Sequence, residues 1–507
     1  MIILESKKDP YDIQRLNARL GRESLIYHVV PIPETILEYI WNYGFLDGET
    51  EIVYIRTMLN KCNELANDTS WYDYTVSLVA ISQQFFHVNE DTSSVSLRDV
   101  ARFCRFYNWL LNLPREFMYE NVRTSNQDFT QQTTLVALLL TYYLRLSSSE
   151  IREFYLNYIT VVLKNKFPDV SHIPIFLTRL LQKQQTNFMA KIKLPLSTAI
   201  NRALIDNIFV PFACILNRIL VILCAKPGSS KTLAVNIILS NLKGKRSNQK
   251  LFHTLPELIP SSYQGSQNCT SENVIKLFER AEKYLDIENN TDILPVIVFD
   301  EIGLAELSPH NPLKVLHSKL QIETCRYGFV GISNWCLDAA KMKRALYLSC
   351  ADPNVDDLRL TAETIASSLL ANSNRIMPIN NSIVKNLAAA YFDLYKHINE
   401  QPKYKNYFGL RDFYSLIKGV VNDLVHASTE QESYTCVRRQ LAIHFYGIFD
   451  GSQFLWKKFC KYAHQEYLIE HEQRPTFNQM IDRSLSLHNS RYLMLIGENE
   501  NIFNYVE

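Results

Sequence analysis

The chain has 507 residues, more than one ordinary core organises, so two or three domains are expected. Its 53 Lys and Arg against 52 Asp and Glu leave a net charge of +1, which argues against a dedicated nucleic-acid binder. Hydrophobic residues at 47% exclude a disordered chain, and only 14 glycines, under half of the roughly 7% typical of proteins, point to many helices.

The ten cysteines include no C-x-x-C pair. That removes zinc-finger and RING-type sites and a secreted disulfide framework, and it suits a reducing, cytoplasmic setting. The opening MIILESKKDPYD carries charges too early for a signal-peptide core. The apolar stretches around Leu135 to Leu140 and Cys214 to Ala225 fall short of the roughly 20 residues that a membrane span needs. Both read as buried core.

In chain order, residues 1–195 read as helical. Leu97, Val100, Ala101, Cys104, Tyr107 and Leu111 follow the i, i+3, i+4, i+7 rhythm of an amphipathic helix that ends before Pro114. Residues 196–355 change texture. Short β-branched runs at Ile219 to Leu223, Val296 to Phe299, Phe329 to Ile332 and Leu346 to Leu348 alternate with helical patterns, as in a mostly parallel α/β sheet. Residues 356–485 turn helical again, and 490–497 (SRYLMLIG) read as a strand opening a further segment, 486–507. A short repeat joins the helical parts. VSLRDVARF and FGLRDFYSL both place Asp, at 99 and 412, in the first turn of an amphipathic helix, where a carboxylate favours the N-terminus.

The chemistry concentrates in the middle. Ala225 to Thr232 (AKPGSSKT) follows a strand and precedes a helix, the context of a phosphate-binding P-loop. Pro227, Gly228, Ser229 and Ser230, with Lys231, Thr232 and Leu233 at the head of the helix, form the candidate phosphate site for ATP. Lys231 neutralises β/γ oxygens and Thr232 holds Mg²⁺ in this reading. Ala225 and Ser230 stand where the pattern has Gly. The strand LPVIVF then ends in Asp300 and Glu301. Asp300 is the second candidate for Mg²⁺, which binds one or two carboxylates beside phosphate oxygens, and Glu301 the candidate for polarising a water. Asn334, after the strand Phe329 to Ile332, is placed to orient that water or simply to make a turn. Arg344 is either a charge offered to a neighbouring module or part of a basic surface cluster. Arg411 is either a sensor of the γ-phosphate or the maker of a local ion pair.

Together these residues resemble an AAA+ module: an α/β P-loop NTPase core with a mostly α-helical lid and flanking helical regions. KPGSSKTLA, VFDEIGLAELSP, PLKVLH, GISNW followed by AKMKRAL, and FGLRDFYSL resemble the dynein-like AAA+ core of the mysterin-like giant RING-finger ubiquitin ligases. In that family Ser-Ser-Lys is a usual form of the P-loop, while Ala225 departs from its Gly and Lys343 from its Asn. PIPETILEYIWNYGFLD and VSLRDVARF resemble the tail and lid of a preceding module. The resemblance implies a piece of a larger chain: residues 1–195 as that lid, 196–355 as core, 356–485 as its own lid, and 486–507 as the start of a following module. It implies neighbouring AAA+ modules as partners, and ubiquitin-conjugating machinery reached through parts that this sequence lacks.

Two functions follow from different classes: an ATP-hydrolysing module, or a regulatory module that holds ATP without cleaving it. A helical scaffold with a decayed site is a third, opposed by the joint presence of Lys231, Asp300 and Glu301. His310 and His317 lack further ligands for a metal. Lys243 to Arg246 reads as a solvated loop, so nucleic acid is not expected. The sequons at Asn67 and Asn268 are expected to be idle.

Overall fold

The computed structural model of the chain describes residues 46–62, 69–89, 95–114, 126–196, 198–285, 292–320, 325–337, 344–350, 352–371, 381–401, 406–427, 429–445 and 451–469, with the single positions Thr35, Tyr39, Trp41 and Leu65. The strand expected over 490–497, the residues Asn67 and Asp68, and most of Pro31 to Asp47 lie outside them. The chain divides into two compact units. One holds Met1–Pro195 with Arg202–Asp352, the other Leu196–Asn201 with Pro353–Glu507.

The first unit begins with helices α1 (Gly48–Leu59), α2 (Thr69–Asn89), α3 (Leu97–Asn112), α4 (Asn126–Thr141), α5 (Ser149–Leu163), α6 (Ile173–Met189) and α7 (Arg202–Leu216). The α3 helix starts at the first repeat. Ser96 is its N-cap, and the Asp99 carboxylate reaches back to the Ser96 N–H at 3.0 Å, so orphan donors at the helix start are satisfied. Val100, Phe103, Phe106, Tyr107 and Leu110 are its buried stripe, and it stops one residue short of Leu113-Pro114. The run Leu135 to Leu140 is wholly buried on α4.

The α/β part follows: β1 (Val221–Cys224), α8 (Lys231–Asn241), β2 (Glu257–Gln264), α9 (Ser271–Leu285), β3 (Ile293–Asp300), α10 (Ile302–Glu306), α11 (Val315–Lys319), β4 (Gly328–Ser333) and β5 (Leu346–Ser349). The five strands pair in parallel in the order β2-β3-β4-β1-β5. Alternation along the strands sorts their side chains between two layers. Val221, Leu223, Val296, Val298, Val330 and Ile332 join the core built by the preceding helices and α8. Leu220, Ile222, Ile297, Phe299 and Phe329 pack instead with Val274, Leu277 and Phe278 of α9. Covering both faces is what makes the central strands read as unbroken apolar runs.

The β2 strand is the element that the apolar runs miss. It lies at the sheet edge, alternates buried Leu258 with polar positions, and carries Pro260. Proline lacks an N–H and is accommodated on an edge strand.

The second unit consists of α12 (Val355–Ala371), α13 (Asn381–Asn399), α14 (Leu410–Leu424), α15 (Glu430–Phe445) and α16 (Gly451–Tyr462) around their own core. The second repeat copy opens α14, where the Asp412 carboxylate accepts the Gly409 N–H at 2.7 Å. Each copy is also held from the preceding helix. Gln83 of α2 donates to the Ser96 carbonyl at 3.1 Å, and Tyr391 of α13 donates to the Gly409 carbonyl at 2.7 Å.

The copies differ in burial. Asp99 is 2% exposed, and its Oδ1 accepts from Arg102 Nη1 at 2.6 Å and Arg145 Nη1 at 2.8 Å. Burial alone would raise the Asp99 carboxyl, but Arg145, Arg102 and the Ser96 N–H together hold it below its usual 3.8. Asp99→Ala leaves two guanidiniums without their shared carboxylate, and a loss of about 3–5 kcal/mol is expected in urea unfolding. The folded value is the depressed one. This stabilisation is therefore present above the ordinary carboxyl pKa and is lost as pH falls below it, which an acid-unfolding comparison with Asp99→Ala reads.

Candidate functional site

The P-loop leaves β1 at Cys224 and is pinned at several points. The Ala225 N–H donates to the Ser333 carbonyl at 3.3 Å, tying the loop to the end of β4. Ser229 Oγ donates to the Lys226 carbonyl at 2.9 Å. From below, the wholly buried Asn207 of α7 donates through Nδ2 to the Ser229 carbonyl at 2.8 Å, and its Oδ1 accepts from the Cys350 thiol at 2.9 Å. Burial pushes that thiol up to about 11, so it stays protonated as a donor at neutral pH.

Two loop residues have left-handed backbone. Gly228 has φ 89°, and Ser230, immediately before the helix, has φ 61° and ψ 22°. The pattern's glycine before the lysine therefore answers a real conformational need, which Ser230 meets at a cost of about 1–2 kcal/mol. The α8 helix then starts at Lys231 with no side-chain cap, which leaves its first N–H groups facing the loop. Thr232 and Leu233 are exposed on its first turn, and Pro227 is exposed in the loop.

Lys231 itself is buried, 6% exposed. Its Nζ donates to the Ala225 carbonyl, to the Lys226 carbonyl at 3.2 Å and to Asn334 Oδ1 at 3.0 Å. Burial lowers its pKa, opposed by Cys350, Cys224 and the carboxylates of Glu301 and Asp300. The Asn334 Nδ2 donates in turn to both Glu301 oxygens, at 3.1 and 3.0 Å. Thus Lys231, Asn334 and Glu301 form one hydrogen-bonded chain. It exists because β4 lies between β1 and β3, so the residue after β4 reaches both the loop and the acid pair.

The acid pair has its own supports. Asp300 ends β3, and its Oδ1 accepts the Glu301 N–H at 2.9 Å. Glu301 has φ 50°, a left-handed turn into α10 that aims its carboxylate at Asn334. The Gly265 N–H donates to the Asp300 carbonyl at 2.8 Å, and a Cβ at 265 would lie 2.4 Å from the Glu301 carbonyl. The turn around Asn334 is held by Ser333, whose Oγ donates to the Trp335 carbonyl at 2.6 Å. The Trp335 ring covers Gly303, where a Cβ would meet it at 2.8 Å.

Arg344 precedes β5 and borders a cavity of about 20 Å³ with Leu220, Ile222, Phe329 and Leu337. Arg411 is exposed in the first turn of α14, in the other unit. Asn207, Gly265 and Trp335 have roles that spacing did not reveal. Among the described residues no group of three His, Cys, Asp or Glu is placed to hold a metal ion, and no helix is long and apolar enough to cross a membrane.

A five-stranded parallel sheet in this order, with a lysine loop after its fourth-placed strand and an acid pair after its second, is a P-loop AAA+ core flanked by helices. More narrowly, residues 197–357 match the family described as the RNF213 AAA domain, so the chain carries an RNF213-like AAA+ core. The E3 ubiquitin-protein ligase rnf213-beta of Danio rerio is 32% identical over 95% of this chain and 10% of its own length. The E3 ubiquitin-protein ligase RNF213 of Homo sapiens is 31% identical over 79% of this chain and 8% of its own. The chain thus spans about a tenth of the relatives it matches. A solved RuvB variant of Thermotoga maritima aligns over 51% of this chain and 87% of its own at 15% identity, with a TM-score of 0.29. The fold assignment rests on the strand order and the family match.

Two outcomes test the loop's supports. Asn207→Leu removes a buried donor from the Ser229 carbonyl, and about 1–3 kcal/mol is expected to be lost in urea unfolding. Ser230→Gly relieves the left-handed backbone, and the same measurement is expected to show a gain of about 1 kcal/mol or less, since glycine also loosens the unfolded chain.

Proposed function

We propose that this core binds Mg²⁺ and ATP at the P-loop and hydrolyses the nucleotide, passing its state to the helical unit that follows. The observation that carries the reading is the Lys231–Asn334–Glu301 chain, which links a phosphate-type lysine to a carboxylate through one amide. The donor set fits the ligand. Lys231 is held by neutral oxygens that phosphate oxygens can replace, the N-terminus of α8 has no side-chain cap, and Thr232 and Asp300 offer the hydroxyl and carboxylate that a magnesium ion takes beside phosphates. Bound ATP supplies the labile phosphoryl bond and Mg²⁺ neutralises its charge. Lys231 then leaves its loop carbonyls for the phosphates. Glu301, held by Asn334, accepts the proton of a water. Arg344 and Arg411 are the candidates for further positive charge, from a neighbouring module or from the helical unit.

The relatives' names make them ubiquitin ligases. We infer that this core acts as a nucleotide-driven element of such a ligase in the cytoplasm, beside further AAA+ modules and the ubiquitin-conjugating machinery. A second reading, in which ATP is held and not cleaved, is favoured by Ser230 in a left-handed conformation and by Ala225 in place of Gly.

Equilibrium binding and turnover of Mg·ATP by the purified chain test both. Lys231→Ala is expected to lose about 1.5–3 kcal/mol of nucleotide affinity, the worth of hydrogen bonds to a charged group. Glu301→Gln is expected to keep binding while turnover drops about 10²–10⁴-fold, the share usual for a general base. Turnover that survives Glu301→Gln would sink the assignment of that residue. Nucleotide recovered wholly as ATP from the parent chain would select the second reading.

A further inference from the structure

The sulfur chemistry around the P-loop is unused by the function proposed above. Cys224 is the last residue of β1, directly before Ala225, and is 5% exposed. Cys336 lies two residues past Asn334 and is exposed. The two are far apart in sequence but close in the fold. In the sheet register Cys224 pairs with Ser333, and the turn held by the Ser333 hydroxyl brings the next residues back over the strand ends. Cys336 Sγ stands 3.0 Å from Tyr347 Oη, and Cys224 lies beside both, with its thiol pushed up by the neighbouring Cys336 and by burial. Tyr347 projects there because its register partner on β1 is Ile222, two residues and one pleat before Cys224. Two thiols and a phenol therefore meet where the phosphate loop and the Asn334 turn begin.

We propose that Cys224 and Cys336 are an oxidisable pair whose disulfide clamps the start of the phosphate loop to the Asn334 turn. The oxidant is a peroxide. The Cys336 sulfur attacks one peroxide oxygen, the O–O bond breaks, and water leaves with a sulfenic acid on Cys336. The Cys224 sulfur then attacks that sulfur, the S–O bond breaks, and the departing hydroxyl takes the thiol proton as a second water. Two electrons pass from the thiols to the peroxide, and a dithiol reductant returns them. The order of attack follows from access: Cys336 faces solvent, whereas the neighbouring Cys336 thiol and burial push the Cys224 thiol up and keep it protonated.

The clamp matters because Asn334 and Lys231 must part for the ammonium to meet phosphates. A disulfide beginning two residues from Asn334 restrains that exchange. This consequence rests on the nucleotide reading, while disulfide formation does not. Cys62 and Cys104, far along the chain from the loop, serve as an internal control: Cys62 is wholly buried, and the Cys104 thiol donates to the Met58 carbonyl at 3.9 Å.

The experiment treats the reduced full chain with hydrogen peroxide, alkylates it, and maps its non-reduced peptides by mass spectrometry. A linked Cys224–Cys336 peptide is expected, lost on adding dithiothreitol and absent from Cys336→Ser and Cys224→Ser. Binding of Mg·ATP is expected to weaken several-fold on oxidation, to recover with dithiothreitol, and to be insensitive to peroxide in Cys336→Ser. Cys336 passing to sulfinic acid with no linked peptide overturns the pair. A linked peptide with unchanged affinity overturns the clamp. Reduced chain that binds no nucleotide overturns the nucleotide reading instead, and the peptide map still decides the disulfide.

Discussion

An ammonium ion withdrawn from water needs oxygen around it, and the α/β unit is organised about one that is so placed. Lys231 is fixed by the carbonyls of its own loop and by Asn334, and Asn334 is fixed by Glu301. The loop carbonyls lie five and six residues from Lys231, but the contacts of Asn334 join residues 103 and 33 apart. They require that β4 be inserted between β1 and β3, and that insertion requires three strands buried on both faces. The apolar content of the strands, the sheet order and the charge arrangement are therefore one requirement seen at three scales.

A second set of buried polar groups carries this order outward into the helices. Asp206 accepts from Arg152 Nη1 at 3.2 Å and from Gln185 Nε2 at 2.7 Å, while Arg152 also donates to the carbonyls of Leu146 and Leu144. Its neighbour Asn207 holds the P-loop. Adjacent residues on α7 thus face two directions, one into the helical layer and one toward the P-loop. Each partner is satisfied, which is what lets such a network specify a unique arrangement.

Much of this was legible in the sequence because the strongest elements announce themselves. The runs at β1, β3, β4 and β5 are apolar and bounded by polar turns, and the lysine loop and the acid pair sit at their ends. The two Leu-Arg-Asp copies predicted helix starts, and both open a helix with the carboxylate on the N-cap N–H. The β2 strand was illegible because an edge strand alternates and tolerates Pro260. Asn207 was illegible because a single amide inside a helix has no pattern; only the fold aims it at Ser229. Gly265 and Gly303 were illegible for a related reason. Their lack of a side chain answers to the Glu301 carbonyl and the Trp335 ring, which come from elsewhere in the chain.

The packing of Trp335 on Gly303 has an optical consequence. The indole is covalently next to Asn334 and rests on the short helix that begins one residue after Glu301. Any change in the amide's partners alters the dielectric and quenching environment of that ring. The chain therefore carries a chromophore beside the Asn334 turn, and the difference in emission between the parent and Trp335→Phe, which keeps the other four tryptophans, reports the state of that turn without an added label.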